Sequence, residues 1–230
     1  MPSPGWHSRG YLPHFDSQEI VQFVTYRLSD SLPLEALERI RLSDRPESFR
    51  DELLDHGWGD CWLRLPQIAA IVEQSFLAFD GDRYRLYAWT IMPNHVHVLL
   101  GIGQDATLSA IVASWKKFTA RRCNHELGRS GPFWQADYWD RFIRSDEHFE
   151  RTIGYIDDNP VKAGLAKSPA DWAWGKCSLQ DMSGSGEPRS QQKTVRLEEL
   201  WISPRRRGPT RSLDRDSRAC LQAKSRSQCP

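Results

Sequence analysis

The feature that most constrains the fold is a long apolar stretch, residues 84–101, which a single proline interrupts. Residues 84–91 and 94–101, on either side of Pro93, are rich in β-branched, aromatic and other apolar side chains, a composition that favours β-strands. Because proline has no N–H to donate to a neighbouring strand, Pro93 marks either a bulge or the turn between two strands. The stretch therefore predicts strand structure before and after Pro93.

The other segments alternate between strand and helix patterns. Ser145 is a typical N-cap, with acidic residues following in the first turn, and Pro160 is expected to end that helix at Asn159. Further strands are predicted at 20–28 and around 141–144, and further helices at 33–40, at 46–55, from Pro66 onwards and at 107–127. This order predicts an α+β fold in which a sheet carries its helices on one face.

Charge separates a main body from a basic tail. Of the 230 residues 39% are hydrophobic, which is enough for a sizeable core, and 31 Lys and Arg nearly balance 30 Asp and Glu. Residues 181–230, however, carry 11 basic and 6 acidic side chains and are rich in Ser, Arg, Gln and Pro. We therefore expect one domain over residues 1–180 and a mostly disordered basic tail over 181–230.

Cysteine usage and hydropathy exclude several classes of protein. The five cysteines are widely spaced and form no C-x-x-C pair, which argues against a disulfide framework and a zinc ribbon. No apolar run has the length of a membrane span, and the first residues carry no apolar signal-peptide core. We expect a reducing, cytoplasmic setting and no association with a membrane.

Two histidines are the first candidates for chemistry. His95 and His97 lie on a predicted strand, where residues two apart point to the same face. Two neutral imidazoles that converge in this way can form half of a divalent-metal site. The alternative is a pair of histidines on a solvated face of the sheet.

The last predicted helix supplies a second group of candidates. Tyr155 and Asn159 are four residues apart and therefore share one helical face. A phenol near a metal could act as a nucleophile, and the amide oxygen of Asn159 could complete the coordination. The alternatives are ordinary packing for Tyr155 and a helix exit at Asn159, which precedes a proline.

Taken together, these motifs resemble the HUH single-tyrosine transposases, and more narrowly the branch called REP-associated tyrosine transposases. The resemblance covers roughly residues 5–178, with the motifs in the expected order. The residues that carry it are Pro93-Asn94-His95-Val96-His97-Val98-Leu99 and Tyr155-Ile156-Asp157-Asp158-Asn159-Pro160-Val161-Lys162-Ala163-Gly164-Leu165, with shorter matches at 9–14, 23–28, 133–135, 140–144 and 171–174.

The resemblance implies a fold and a chemistry. The fold is a ferredoxin-like antiparallel sheet with helices on one face. His95, His97 and Asn159 are expected to hold Mg²⁺ or Mn²⁺, although Asp158 could compete with Asn159 as a ligand. Tyr155 is expected to attack a phosphodiester of single-stranded DNA, which leaves a 5′-phosphotyrosine and a free 3′-OH.

The resemblance also implies a DNA partner, a palindromic hairpin with a short single-stranded flank that contains a guide sequence. Arg9, Tyr11 and His14 are candidate DNA contacts because the family uses its N-terminal arm near that guide. From the sequence itself, Arg144 and the 107–127 helix, with Lys117 and Arg121 one turn apart, are candidates for phosphate contacts. Basic faces that are merely solvated are the alternative. The branch favours a monomer, although the wider family includes dimers with shared sites.

We therefore predict a transposase that cleaves and joins single-stranded DNA at repetitive hairpin elements, with a metal ion and with Tyr155 as the nucleophile. One rival function is a domesticated hairpin-binding protein that no longer cuts. A second rival is a metal-dependent hydrolase that uses His95 and His97 with water, which predicts no covalent intermediate.

Overall fold

The computed structural model describes residues 5–8, 13–16 and 20–177. The predicted tail at 181–230, and Arg9 and Tyr11, lie outside the described residues. The strands are β1 (Gly5–Ser8), β2 (Pro13–Asp16), β3 (Val21–Arg27), β4 (Tyr84–Ile91), β5 (His95–Ile102), β6 (Trp139–Phe142) and β7 (Gly175–Cys177). The α-helices are α1 (Leu34–Leu42), α2 (Pro46–Asp55), α3 (Pro66–Leu77), α4 (Leu108–Glu126) and α5 (Asp146–Lys162).

The main sheet has five strands among the described residues, in the order β6-β3-β5-β4-β7, and every neighbouring pair is antiparallel. The series β3-α3-β4-β5-α4-β6 gives this strand order when each helix crosses over the sheet, which is the ferredoxin-like arrangement. Strand β7 extends the sheet beside β4. The predicted α+β fold with an antiparallel sheet is confirmed.

Strands β4 and β5 form a hairpin, and Pro93 lies in its turn. The backbone N–H of Met92 donates to the carbonyl of His95 at 2.9 Å, which closes the turn around Pro93. A bulge is also present, but it lies within β4, where the pairing register shifts between Leu86 and Ala88. Pro93 was predicted to mark either a bulge or a turn, and in the structure it lies in the turn between β4 and β5.

The two faces of the sheet are covered by different helices. Side chains alternate along β5, and its even-numbered residues pack with α3 and α4 in the larger core. Its odd-numbered residue Leu99 packs with Phe149, Ile153 and Ile156 of α5. The two crossover helices thus share one face, whereas α5 covers the other face, so the expectation that the helices pack on a single face is wrong for α5. His95 and His97 are odd-numbered and belong to the face that α5 covers.

Helices α1 and α2 form a small unit of their own between β3 and α3. Leu32, just before α1, packs with Ala36 of α1 and with Leu53 and Leu54 of α2 in a separate buried apolar cluster. The unit is tied to the hairpin turn, because the side-chain amide of Asn94 donates to the carbonyls of Leu54 and Trp58, both at 3.1 Å. Helix α2 is therefore held at the end of β5 where the histidines lie.

The last helix begins as predicted and ends later than predicted. Ser145 is its N-cap, and the Ser145 hydroxyl accepts from the backbone N–H of His148 at 3.2 Å. Helix α5 continues through the buried Pro160 to Lys162, so the expected end at Asn159 is wrong. Because Pro160 lies in the last turn, its missing N–H removes a single helical hydrogen bond, and the helix continues for two residues. No helix among the described residues is long and apolar enough to cross a membrane.

Candidate functional site

The two histidines of β5 face each other at the edge of the α5-covered face. Their Nε2 atoms lie 3.1 Å apart, and both side chains are fully buried. Both therefore point to one face, as the strand spacing predicts, but the alternative of a solvated face is wrong. An imidazole pair that is buried in this way is shielded from water and available to a ligand held inside the protein.

Neighbouring side chains hold each imidazole through its second nitrogen. The Nδ1 atom of His95 lies 2.8 Å from the Oδ1 atom of Asn94, and Nδ1 of His97 lies 2.8 Å from the hydroxyl of Thr25. Because the amide nitrogen of Asn94 is engaged by two carbonyls, its Oδ1 faces His95 and accepts from Nδ1–H. The lone pair of neutral His95 is then on Nε2, the nitrogen that faces His97.

Burial keeps both imidazoles neutral. It lowers the pKa of His97 to about 3, with a smaller contribution from the nearby Arg50 guanidinium. Burial and the adjacent His97 lower the pKa of His95 well below its usual value. Both rings are consequently uncharged at neutral pH, which is the form that binds metal ions.

Two buried oxygen atoms lack a hydrogen-bond partner within the described part of the chain. One is Oδ1 of Asn159, whose residue is only 2% exposed and lies one turn after Tyr155 on α5. The other is Oδ1 of Asp55 on α2, which lies 3.9 Å from Nε2 of His95. Burial, followed by the Asp51 carboxylate, raises the pKa of Asp55 to about 7.

The two imidazoles and the amide oxygen of Asn159 are ligand types that a divalent cation accepts, although they do not form a cluster of three or more His, Cys, Asp or Glu side chains. Among the described residues no group of three or more His, Cys, Asp or Glu side chains is arranged to hold a metal ion. Two neutral imidazoles offer nitrogen ligands, and the unpartnered amide oxygen of Asn159, one helical turn after Tyr155, offers an oxygen ligand. This combination of donors is compatible with a divalent cation.

Tyr155 lies on α5 directly against the histidines. Its ring centre is 5.4 Å from that of His97 and 5.9 Å from that of Phe23. Its hydroxyl donates to Oδ2 of Asp51 on α2 at 2.8 Å. Burial and then the Asp51 carboxylate raise the pKa of the Tyr155 hydroxyl, so it carries its proton at neutral pH.

A cleft of about 990 Å³ opens beside Tyr155. It is strongly basic, because four arginines line it against two aspartates: Arg45, Arg141, Arg144 and Arg151 against Asp44 and Asp51. Arg144, a predicted DNA contact, therefore shares one cleft with Tyr155. The cleft has the charge that a polyanionic ligand requires.

Two other predicted DNA contacts, Lys117 and Arg121, lie away from this cleft. Lys117 and Arg121 are exposed on α4, which packs on the sheet face opposite to the histidines. His14 lies in β2, where its backbone pairs with His7. Their role in DNA binding stays a prediction.

Lys116, which precedes Lys117 on α4, makes three hydrogen bonds to backbone carbonyls. Its ammonium donates to the carbonyls of Gln135, Ala136 and Asp137 at 2.6, 2.7 and 3.1 Å. It therefore ties α4 to the loop before β6.

Three residues near the site were not identified from the sequence, because they lie outside the recognised motifs: Thr25, Asp51 and Asp55. Asp51 and Asp55 are four residues apart on a predicted helix, and such acidic pairs are common on solvent-facing helices. Thr25 lies in an apolar strand, where a threonine needs no special explanation. The visible signal was the i, i+4 spacing of the two aspartates, and it was too common to single them out.

Comparison with known proteins points to one family. Residues 71–159 match the family model described as "Transposase IS200 like", a segment that contains His95, His97, Tyr155 and Asn159. The chain is 32% identical over 105 residues to the REP-associated tyrosine transposase of Escherichia coli (strain K12), which is 44% of this chain and 60% of that protein. The matched segment thus spans less than two thirds of that relative.

A solved structure has the same fold. It is described as a REP-associated tyrosine transposase bound to a REP hairpin, and it matches 79% of this chain and 88% of its own, with a TM-score of 0.51 and 20% identity. The resemblance to the REP-associated tyrosine transposases that the sequence predicts is confirmed.

Proposed function

We propose that this chain, which resembles the REP-associated tyrosine transposases, is a transposase that cleaves and rejoins single-stranded DNA at repetitive palindromic hairpins, with Tyr155 as the nucleophile. The observation that carries the proposal is the convergence of Tyr155 with the histidine pair. The ring of Tyr155 lies 5.4 Å from that of His97, whose Nε2 is 3.1 Å from that of His95, and this proximity supports Tyr155 as a nucleophile beside a metal site.

The metal would be held by His95, His97 and Asn159, with Mg²⁺ or Mn²⁺ as the expected ion. When bound, it would neutralise the charge of the scissile phosphate and stabilise the leaving oxygen. Asn94 and Thr25 keep the imidazoles oriented for this task through their hydrogen bonds to the Nδ1 atoms.

The chemical step is a transfer of the phosphate from DNA to Tyr155. The phenolic oxygen attacks phosphorus, a Tyr155 O–P bond forms, and the bond from phosphorus to the 3′-oxygen breaks. The products are a 5′-phosphotyrosine and a 3′-OH. Because the covalent bond retains the energy of the phosphodiester, a later 3′-OH can attack it and rejoin DNA without another energy source.

The basic cleft supports a nucleic-acid substrate. Arg144, Arg141 and Arg151 lie around α5 and β6 beside the nucleophile, where they can contact phosphates on either side of the scissile bond. The hairpin itself is inferred from the solved relative, which is described as bound to a REP hairpin. A flanking single-stranded guide sequence and a cytoplasmic setting are part of the same proposal.

We propose a monomer as the active form, as the resemblance to the REP-associated branch implies. Within the chain, Tyr155 of α5 contacts His97 of β5 and donates to Asp51 of α2.

A cleavage assay tests the proposal. A single-stranded hairpin oligonucleotide with its flanks, labelled at the 3′ end, is incubated with the protein and Mg²⁺ or Mn²⁺, and the products are separated on a denaturing gel. We expect the label to become covalently attached to the protein, and we expect the adduct to be absent in Tyr155→Phe and in EDTA. Tyr87→Phe, a buried tyrosine outside the cleft, is the matched control and should keep the adduct.

Each rival has its own outcome in this assay. Cleavage that survives in Tyr155→Phe without an adduct would favour the metal-dependent hydrolase. Tight binding without cleavage over several hairpins, including inverted repeats beside the gene, would favour the domesticated binder.

A further inference from the structure

Asp51 on α2 is the one acidic side chain that the described residues place in hydrogen-bond contact with the Tyr155 hydroxyl. We propose that Asp51 is a catalytic residue, the carboxylate that takes the proton of Tyr155 as its oxygen attacks DNA. The assignment rests on the proposed function, in which Tyr155 is the nucleophile. It concerns a residue that precedes the matched family segment, which begins at residue 71.

The carboxylate is oriented toward the hydroxyl by a fixed set of contacts. Oδ2 of Asp51 accepts from the Tyr155 hydroxyl at 2.8 Å, while Oδ1 accepts from Nε and Nη2 of Arg50 at 3.0 and 2.7 Å. The Arg50 guanidinium in turn lies 4.3 Å from the ring centre of Trp139 in β6. The side chains of Arg50 and Asp51 are only 13% and 15% exposed. One oxygen is thus held by arginine and the other is left for the phenol.

The reaction needs such an acceptor. A phenol has a pKa of about 10 and is protonated at neutral pH, and its proton becomes strongly acidic as the oxygen bonds to phosphorus. The nearest imidazole, His97, already uses Nδ1 toward Thr25 and Nε2 toward His95. Asp51 is within hydrogen-bond distance of the proton before the reaction starts, which is the geometric requirement for a general base.

The step balances in both directions. On cleavage, the Tyr155 O–P bond forms, the proton moves from the phenol to Oδ2 of Asp51, and the 3′-oxygen leaves with its electron pair and takes a proton from water. On joining, a 3′-OH attacks the phosphotyrosine and gives its proton to water. Oδ2 of Asp51 then returns its proton to the departing Tyr155 oxygen.

The competing explanation is that Asp51 merely holds the Tyr155 side chain in place. Asp51→Asn separates the two, because the amide oxygen can still accept the hydrogen bond while its basicity is far lower. Glu52→Gln is the matched control: it removes one negative charge from the adjacent position of α2, and Glu52 is exposed.

The experiment measures the single-turnover rate of adduct formation on the labelled hairpin, together with hairpin affinity and the thermal melt of each variant. For Asp51→Asn we expect the rate to fall by a factor of about 10²–10³, the usual contribution of general acid–base catalysis, with hairpin affinity retained. Glu52→Gln should react at the wild-type rate. In Asp51→Ala, added formate should restore part of the rate in proportion to its concentration, because a small carboxylate can occupy the vacated space.

Two results would overturn the assignment. One is an Asp51→Asn variant that forms the adduct at the wild-type rate. The other is an Asp51→Ala variant that formate does not restore, which would leave Asp51 with a holding role alone. Failure of the proposed function looks different, because the wild-type protein itself would then form no adduct.

Discussion

At the scale of single residues, short polar side chains decide which nitrogen of each histidine is available. Thr25 of β3 is 3% exposed and contacts Nδ1 of His97, and Asn94 does the same for His95. Thr90 of β4 is also paired with His97 in the sheet, yet its hydroxyl has no hydrogen-bond partner in the described structure. Two threonines thus pair with His97 in the sheet, and only Thr25 hydrogen-bonds to its ring among the described residues.

This difference predicts the effect of two matched substitutions on the proposed metal binding. Thr25→Val removes the hydrogen-bond partner of His97 at nearly constant volume, and we expect the affinity for Mn²⁺ to fall by about 10- to 100-fold, the usual effect of removing a hydrogen-bond partner from a metal-binding histidine. Thr90→Val should leave the affinity unchanged. Isothermal titration of each variant with Mn²⁺ measures both, and equal affinities for the two variants would contradict the assigned role of Thr25.

At the scale of elements, the α1–α2 unit completes the site. It carries Asp51 and Asp55 to the histidines and Tyr155, although it is packed by its own small cluster and lies apart from the main core. Leu54 is central to that cluster, since it is 1% exposed and its carbonyl accepts from Asn94. The order of α2 is therefore coupled to the order of the hairpin turn.

This coupling makes Leu54→Ala a test of the unit. Truncation of a buried leucine leaves a cavity, and we expect the free energy of unfolding to fall by about 2–5 kcal/mol. Hydrogen exchange should speed up first in α2. Leu42→Ala on α1 is the control, because Leu42 is 84% exposed and its truncation should change neither quantity. Uniform acceleration over the whole sheet would mean that the α1–α2 unit is not a separate element of stability.

At the scale of the whole molecule, buried tyrosines join the sheet to its helices. The indole N–H of Trp115 on α4 donates to the hydroxyl of Tyr84 at 2.9 Å, and that hydroxyl donates to the carbonyl of Phe76 on α3 at 2.6 Å. Burial raises the pKa of Tyr84 to about 12 and raises the pKa of Tyr26 and Tyr87 as well. The folded protein therefore retains phenolic protons that the unfolded chain loses near pH 10.

The sign of the pH dependence follows from this difference. Between pH 10 and 12 the unfolded state binds fewer protons than the folded state, so the free energy of unfolding should fall as pH rises through that interval. Urea denaturation at a series of alkaline pH values measures the slope. Tyr26→Phe should make the slope shallower, because it removes one of the phenols whose pKa is raised by burial. An unchanged slope in that variant would contradict the account.

Local patterns in the sequence were sufficient for much of the fold. The strands around Pro93, the common direction of His95 and His97, and the cap at Ser145 depend on a few neighbouring residues, whose backbone preferences the sequence displays directly. The spacing of the motifs also indicated the resemblance to the REP-associated tyrosine transposases. The end of α5 was predicted wrongly because proline in a last turn costs too little to stop a helix that is buried against the sheet.

Tertiary packing decided the surroundings of the site. Asp51 and Tyr155 are 104 residues apart, and no local pattern states that α2 would dock over β5 and α5. Packing also placed Lys117 and Arg121 on the opposite side of the sheet and gathered Arg144 with other arginines beside Tyr155. Sequence patterns determine backbone states over a few residues. Which distant side chains meet depends on how whole elements bury their apolar faces, and here that burial brings the Asp51 carboxylate to the Tyr155 hydroxyl.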